Sequence, residues 1–221
     1  ALEQEIRFFT VESEAEAVQI SQCADRVDRT ARIAFRINPD VDPRTHKYIS
    51  TGKKENKFGL DIERTLEAYR MAESLPRVEI AGLHMHIGSQ ILTADPFADA
   101  IRKVGAFCAD LKARYSSFRY LDIGGGLGID YRDGAAPPPA LADYAALAKR
   151  VLGELGCRII VEPGRSLTGN VGVLVARVIY VKEGELDRFL IIDAGMNDLI
   201  RPSLYQAFHA IQPVMRHKGH P

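Results

Sequence analysis

Four short segments hold residue types whose spacing suits chemistry. His84-Met85-His86-Ile87-Gly88-Ser89 sets two imidazoles two residues apart beside a hydroxyl, and Asp122-Ile123-Gly124-Gly125-Gly126 is followed closely by Gly128. Glu162-Pro163-Gly164-Arg165 ends the apolar run Ile159 to Val161, and Asp193 to Tyr205 includes Arg201 and Tyr205.

Each segment has a functional reading and a plainer one. On a strand, His84 and His86 share a face and could pair at a metal, but the sequence offers no third donor at a suitable spacing, so no metal is expected. An isolated histidine of this kind is more often a satisfied core or rim residue. Gly88 and Ser89 tilt His86 toward a role, since a hydroxyl and free N–H groups beside an imidazole suit a flat, phosphorylated ligand.

Gly124, Gly125, Gly126 and Gly128 free the backbone for positive φ and close approach to an anion, or make a simple tight turn. The dinucleotide fingerprint needs spaced glycines at a strand-to-helix turn and a later acidic residue, and this run has neither.

Glu162 follows apolar residues, where an unpaired carboxylate is costly. Its partner is either Arg165, in a structural ion pair, or a protonated ring nitrogen on a ligand. The second option is a charge-assisted hydrogen bond worth on the order of 1.5 to 3 kcal/mol. Arg201 and Tyr205 could jointly grip a carboxylate, one as a fork and the other as a single donor.

The elements that must position these groups alternate β-rich runs with segments of helical period, the pattern of a parallel sheet wrapped by helices. Strands are expected at Arg7 to Val11, Arg32 to Ile37, Ile80 to His86, Tyr120 to Ile123 and Arg158 to Val161. Ser13 with Glu16 forms a capping box ahead of Ala17 to Cys23, Asp61 starts a second helix, Asp95-Pro96 opens a third that reaches about Tyr115, and a fourth covers Leu141 to Leu155 after the Pro137 to Pro139 run. About five βα units result, whereas a closed barrel has eight. In a barrel the strand ends carrying His86, Gly124 and Glu162 meet on one rim.

After Asn170 the pattern changes. Val171 to Lys182 and Arg188 to Asp193 are β-branched runs around a Glu183-Gly184 turn, which predicts a hairpin. The expected organisation is α/β: a partial (β/α)8 TIM barrel over 1–170, then the start of an antiparallel β domain over 171–221.

Composition narrows the partners. Lys plus Arg and Asp plus Glu both total 29, so no net positive field gathers nucleic acid or anionic membrane. Cys23, Cys108 and Cys157 are widely spaced and read as reduced, packed thiols in a cytoplasmic protein. The most apolar stretch, Val171 to Val181, is too short to span a bilayer and contains Arg177, and the basic-then-apolar pattern of a secretory leader is not seen. A small-molecule ligand is expected, with no nucleic acid and no membrane. Ala1 falls within amphipathic sequence and Pro221 follows a basic tail, so both ends are expected to lie inside a longer chain.

Taken together, Phe9-Thr10-Val11-Glu12-Ser13, Arg36-Ile37-Asn38-Pro39, Lys57-Phe58-Gly59 and the four segments above resemble the fold-type III pyridoxal-phosphate decarboxylases. Gly52-Lys53 to Gly59, His84 to Gln90 and Asp193 to Tyr205 are most similar to the branch that acts on diaminopimelate in lysine biosynthesis. Relatives acting on arginine, ornithine or carboxynorspermidine, and non-catalytic binding relatives, are the alternatives.

The resemblance implies a set of roles. The cofactor is pyridoxal 5'-phosphate, with His86 stacked on its ring and Glu162 holding the ring nitrogen protonated; these two are the catalytic candidates. Ser89, Gly125, Gly126, Gly164 and Arg165 surround the phosphate, with Pro163 in the same cofactor-binding stretch. Arg165, Arg201 and Tyr205 bind the carboxylates of an amino-acid substrate.

It also implies a homodimer whose later Cys-Glu-Ser-Gly-Asp-type segment reaches the neighbouring subunit's site. The lysine that carries the cofactor in this family sits in a Tyr-Ala-x-Lys context, which this sequence lacks; Lys57 aligns with a different element. The expectation is therefore an active parent and a segment with little or no activity by itself.

Overall fold

The computed structural model describes residues 1–42, 57–131 and 138–215. The Gly52-Lys53 part of one similarity segment, Pro137 and most of the basic tail lie outside the described residues. The chain divides into two compact units, one of Ala1–Ile129 with Pro137–Leu167, the other of Asp130–Ala136 with Thr168–Pro221.

In the first unit β1 (Phe9–Val11), β2 (Ala31–Ile37), β3 (Val78–Met85), β4 (Tyr120–Asp122) and β5 (Arg158–Ile160) form one sheet in chain order. Every pairing is parallel. Helices α1 (Glu14–Arg26), α2 (Ile62–Glu73), α3 (Asp95–Arg114) and α4 (Leu141–Leu152) alternate with the strands. The five expected strands are present, each within two residues or so at its ends.

The helix starts follow local chemistry. Ser13 accepts from the Glu16 N–H at 3.2 Å, and Asp61 accepts from the Arg64 N–H at 2.8 Å, each satisfying an amide that the first turn leaves without a partner. The return bond of the capping box goes from the Glu12 N–H to the Glu16 carboxylate, one residue earlier than the motif demands. Helix α4 stops at Leu152 instead of Leu155, tightening into a 3₁₀ turn over Gly153–Leu155 before Gly156 takes a positive φ.

Burial follows from the pattern. Along β3 the last six residues are all buried, as expected when a parallel strand is covered on both faces. Helix α2 buries Thr65, Ala68, Tyr69 and Ala72, a stripe at helical spacing. Tyr69 is fully buried, and its hydroxyl donates to the Gly82 carbonyl at 2.6 Å, which removes the cost of hiding a polar atom there.

Helix α5 (Arg165–Thr168) falls at the end of the first unit, and within the second β6 (Val178–Glu183) pairs antiparallel with β7 (Arg188–Ile192). The strand expected from Val171 begins only at Val178. Helix α6 (Arg201–Tyr205) follows. Val173, Leu186 and Ile211 are more than nine-tenths exposed, so this unit buries little apolar surface of its own. No described helix is long and apolar enough to cross a membrane.

Two outcomes follow from this packing. A Cβ at Gly82 would collide with the Tyr120 backbone of β4, which cannot yield without separating the strands. Gly82→Ala should therefore cost about 1 to 3 kcal/mol or more and lower the thermal midpoint, read by calorimetry. Amides of β6 and β7 should exchange with solvent far faster than those of β2 and β3, because a two-stranded hairpin is only marginally stable.

Candidate active site

Parallel pairing brings the ends of β3, β4 and β5 to one edge of the sheet. The register aligns Arg36, His84 and Asp122 across β2, β3 and β4, with Ile160 of β5 opposite Asp122. Two residues further along each strand direction come His86, Gly124 and Glu162. Side chains alternate along a strand, so His86 stands above His84 on the same face.

The glycine bend lies tightly between its neighbours. The Glu162 N–H donates to the Gly124 carbonyl at 2.8 Å, and a Cβ on Gly125 would strike the Glu162 carbonyl. Gly126 has a φ of 106° and would likewise strike Gly88. Glycine is required at both positions because backbone occupies the space a side chain would need.

His86, Ser89, Gly125, Gly126, Glu162, Pro163, Gly164 and Arg165 thus come from three adjacent strand ends of the first unit. The anion cradle read from the sequence is narrower than the glycine run suggests. Gly124 donates its N–H to Asp122 Oδ1 at 2.9 Å, and Gly125 donates to His86 Nδ1 at 3.2 Å. Gly164, by contrast, has open space where a Cβ would be, and its N–H donates to the Glu162 carbonyl at 2.9 Å.

The ionic partners also differ from expectation. Arg165 donates through Nη1 to Gln90 Oε1 at 3.2 Å, whereas Glu162 faces His84, with Nε2 and Oε2 3.5 Å apart. The plain Glu162–Arg165 ion pair is therefore replaced by two other contacts. Gln90 also donates to the Ile129 carbonyl and accepts from the Ile129 N–H, tying the loop after His86 to the loop after the glycines. It does so at a φ of 60°, an uncommon conformation for a residue with a Cβ and one that recurs at functional sites.

Electrostatics sort the titratable groups. His86 is pushed down to about 4, first by burial and then by the nearby Arg36 guanidinium, so it is a neutral ring at pH 7. The Gly125 N–H agrees with that state, because it can be accepted only by an unprotonated Nδ1. Glu162 is held below the usual carboxylate range mainly by the His84 imidazole, against the opposing effect of burial. Asp122 is raised by burial, with the Gly124 N–H and His84 acting against it. Two neighbouring acids are thereby pushed apart, one toward its neutral and one toward its ionised form.

Two residues, Arg36 and Gln90, and one grouping escaped the sequence reading. Arg36 occupies the row of His84 and donates to Glu12 Oε1 at 2.7 Å. An arginine in the largely buried run Ile33 to Ile37 was the signal available for it. His84, Asp122 and Glu162 offer ligand atoms within 4.8 Å of one another, although the sequence showed no third donor near the histidines; the partners come from other strands. Gln90 carried no signal beyond its neighbours.

Lys57 is exposed, with Nζ 5.9 Å from the Phe58 ring centroid. Within the second unit, Arg201 and Tyr205 begin and end α6. Arg201 stacks 5.2 Å from the Tyr131 ring centroid and donates to its hydroxyl at 3.3 Å.

A parallel βα sheet that gathers an imidazole, a carboxylate and a glycine bend at its carboxyl edge is the architecture of enzymes that hold a planar phosphorylated cofactor. The pyridoxal-binding domain of the pyridoxal-dependent decarboxylases matches residues 1–169, and the chain belongs to that family.

Among its relatives, diaminopimelate decarboxylase of Aquifex aeolicus is 47% identical over 214 residues, covering 97% of this chain and 51% of the relative. The enzyme of that name from Vibrio cholerae is 46% identical over 220 residues, 99% of this chain and 52% of the relative. The crystal structure of Helicobacter pylori diaminopimelate decarboxylase complexed with L-lysine superposes with a TM-score of 0.92 at 42% identity, covering 99% of this chain and 54% of that one. The chain therefore spans about half the length of the relatives it matches. The five-stranded sheet is part of the TIM barrel of fold-type III decarboxylases, and the antiparallel pair β6–β7 is separate from it.

The depressed His86 value has a sign that can be checked. The folded state binds this proton less readily than the unfolded chain, so the contribution of neutral His86 is complete above about pH 6.5 and is lost as pH falls toward 4, by up to about 3 kcal/mol. Urea melts at pH 7 and pH 4 should show that loss in the native protein and a smaller one in His86→Phe. An NMR midpoint for His86 at or above 6 would contradict the assignment.

Proposed function

We propose that the protein of which this chain forms part catalyses pyridoxal-phosphate-dependent decarboxylation of meso-diaminopimelate to L-lysine and carbon dioxide. The observation that carries the reading is that a neutral His86 and an ionised Glu162 stand at the carboxyl ends of β3 and β5, on either side of the glycine bend that follows β4. A flat pyridine ring needs an uncharged surface to stack on and an anion at its nitrogen, and these residues supply both. When bound, the coenzyme supplies the electron-accepting ring that takes up the electron pair left as carbon dioxide departs.

The chain's own residues have separable tasks in this reading. Glu162 keeps a proton on the ring nitrogen, because a carboxylate held below its ordinary range is a poor proton acceptor and a good anionic partner. His86 limits ring tilt, with its orientation set by the Gly125 N–H. Ser89, Gly125, Gly126, Gly164 and Arg165 surround the phosphate, with Pro163 in the same stretch between Glu162 and Gly164. Gln90 steadies the Arg165 guanidinium.

Arg165, Arg201 and Tyr205 bind carboxylates of the amino-acid substrate, and the preference for diaminopimelate rests on its distal carboxylate and on the relatives' names. The cofactor-carrying lysine belongs to the remaining length of the protein, so this segment by itself has little or no activity. The working enzyme is a cytoplasmic homodimer in this proposal.

The test is turnover by the full-length protein and by the 221-residue chain. With pyridoxal phosphate present, the first should release carbon dioxide from meso-diaminopimelate at an enzymatic rate, and the second should not. Glu162→Gln in the full-length protein should lower kcat by roughly a hundredfold or more, since it removes a charge that stabilises the transition state. Preference for arginine or ornithine over diaminopimelate would overturn the substrate, and an unaffected Glu162→Gln variant would overturn the site.

A further inference from the structure

We infer that His84 is a positioning residue for Glu162: from the buried row beneath His86, its imidazole at 3.5 Å fixes one carboxylate oxygen and leaves the other for the coenzyme's ring nitrogen. This inference rests on the reading of Glu162 as the ring-nitrogen partner and adds a residue to which no role has been given above.

Three observations support it. First, His84 is only 5% exposed, and neither ring nitrogen has a hydrogen-bond partner among the described residues. A buried imidazole left in that state has given up its hydrogen bonds to water, so its place in the fold needs a compensating interaction. The carboxylate of Glu162 is at ion-pair distance, and contacts of this kind in active sites often tighten when the ligand is bound.

Second, Glu162 is the carboxylate nearest to His84. On β2, Arg36 is turned to Glu12. Just beyond His84, His86 accepts from Gly125. Asp122 and Glu162 both bring a carboxylate oxygen within 4.8 Å of the ring, but Asp122 also accepts from the Gly124 N–H, and Glu162 is the one at ion-pair distance. These four are the charged or titratable groups that face His84 from the strands around it.

Third, Glu162 is half exposed, whereas His84 is held rigidly within a fully buried strand end. A flexible carboxylate anchored by one oxygen to a fixed ring loses rotational freedom before the ligand arrives, which is how a supporting residue preorganises a site.

The first experiment needs no cofactor. In the full-length protein, stripped of coenzyme and labelled with nitrogen-15 at histidine, the His84 ring-nitrogen signals are recorded at one fixed pH. Glu162→Gln removes the carboxylate 3.5 Å from Nε2, so the His84 ring signals should move while those of histidines outside the site stay in place. Unchanged His84 signals would overturn the inference.

The second uses the coenzyme-loaded protein. His84→Leu should lose the ring-nitrogen proton at lower pH, seen in the pH profile of coenzyme absorbance. It should lower kcat about tenfold or more with little change in KM. His84→Gln, which keeps a donor, should recover most of both. Identical profiles for Leu and wild type would also overturn the inference. Failure of the wild type to bind coenzyme would instead sink the proposed function, leaving the coenzyme-free spectra to decide the His84–Glu162 contact separately.

Discussion

The parallel register of the central strands is the constraint from which the site derives. Because β2, β3 and β4 run the same way and pair without slippage at their carboxyl ends, Arg36, His84 and Asp122 share one row, and the groups just beyond them share one rim. A shift of one residue would send every one of these side chains to the opposite face. Close packing maintains the register: Gly82 lies against β4, Gly125 against Glu162 and Gly126 against Gly88, each too near for a side chain. The glycines act here less as flexible hinges than as places where backbones touch.

That arrangement produces the charge pattern. His86 is buried and has the Arg36 guanidinium near, so it stays neutral, whereas Glu162 has His84 beside it and stays ionised. Asp122 lies deeper than Glu162 and is raised by that burial. Three titratable groups a few residues apart in the fold thus occupy different states because their depths and neighbours differ. A site for a cationic ring nitrogen over a neutral stacking surface requires such a separation.

The two units differ in what holds them. The first has a continuous core running from Val11 through Phe35, Leu83 and Leu121 to Leu152, and supports its helices by ordinary amphipathic packing. The second relies on one hairpin and on ring contacts around Tyr131, which meets both the Arg201 guanidinium and the His209 ring. The relatives that the chain matches are about twice as long.

Much of this was already determined by the residues in order. The alternation of β-rich and helical segments, the caps at Ser13 and Asp61 and the glycine bend are local, because hydrogen bonds and sterics within a few residues decide them. The family resemblance was legible for the same reason: its motifs are short and contiguous. Which partner each charged group takes was not legible. Glu162 lies three residues from Arg165 in sequence, yet it faces His84 from a different strand, and Arg165 turns to Gln90. Only the tertiary structure decides such pairs, because strand register sets side-chain neighbours over separations of dozens of residues, and burial, which shifts His86 and Asp122, is a property of the packed sheet and not of any one segment.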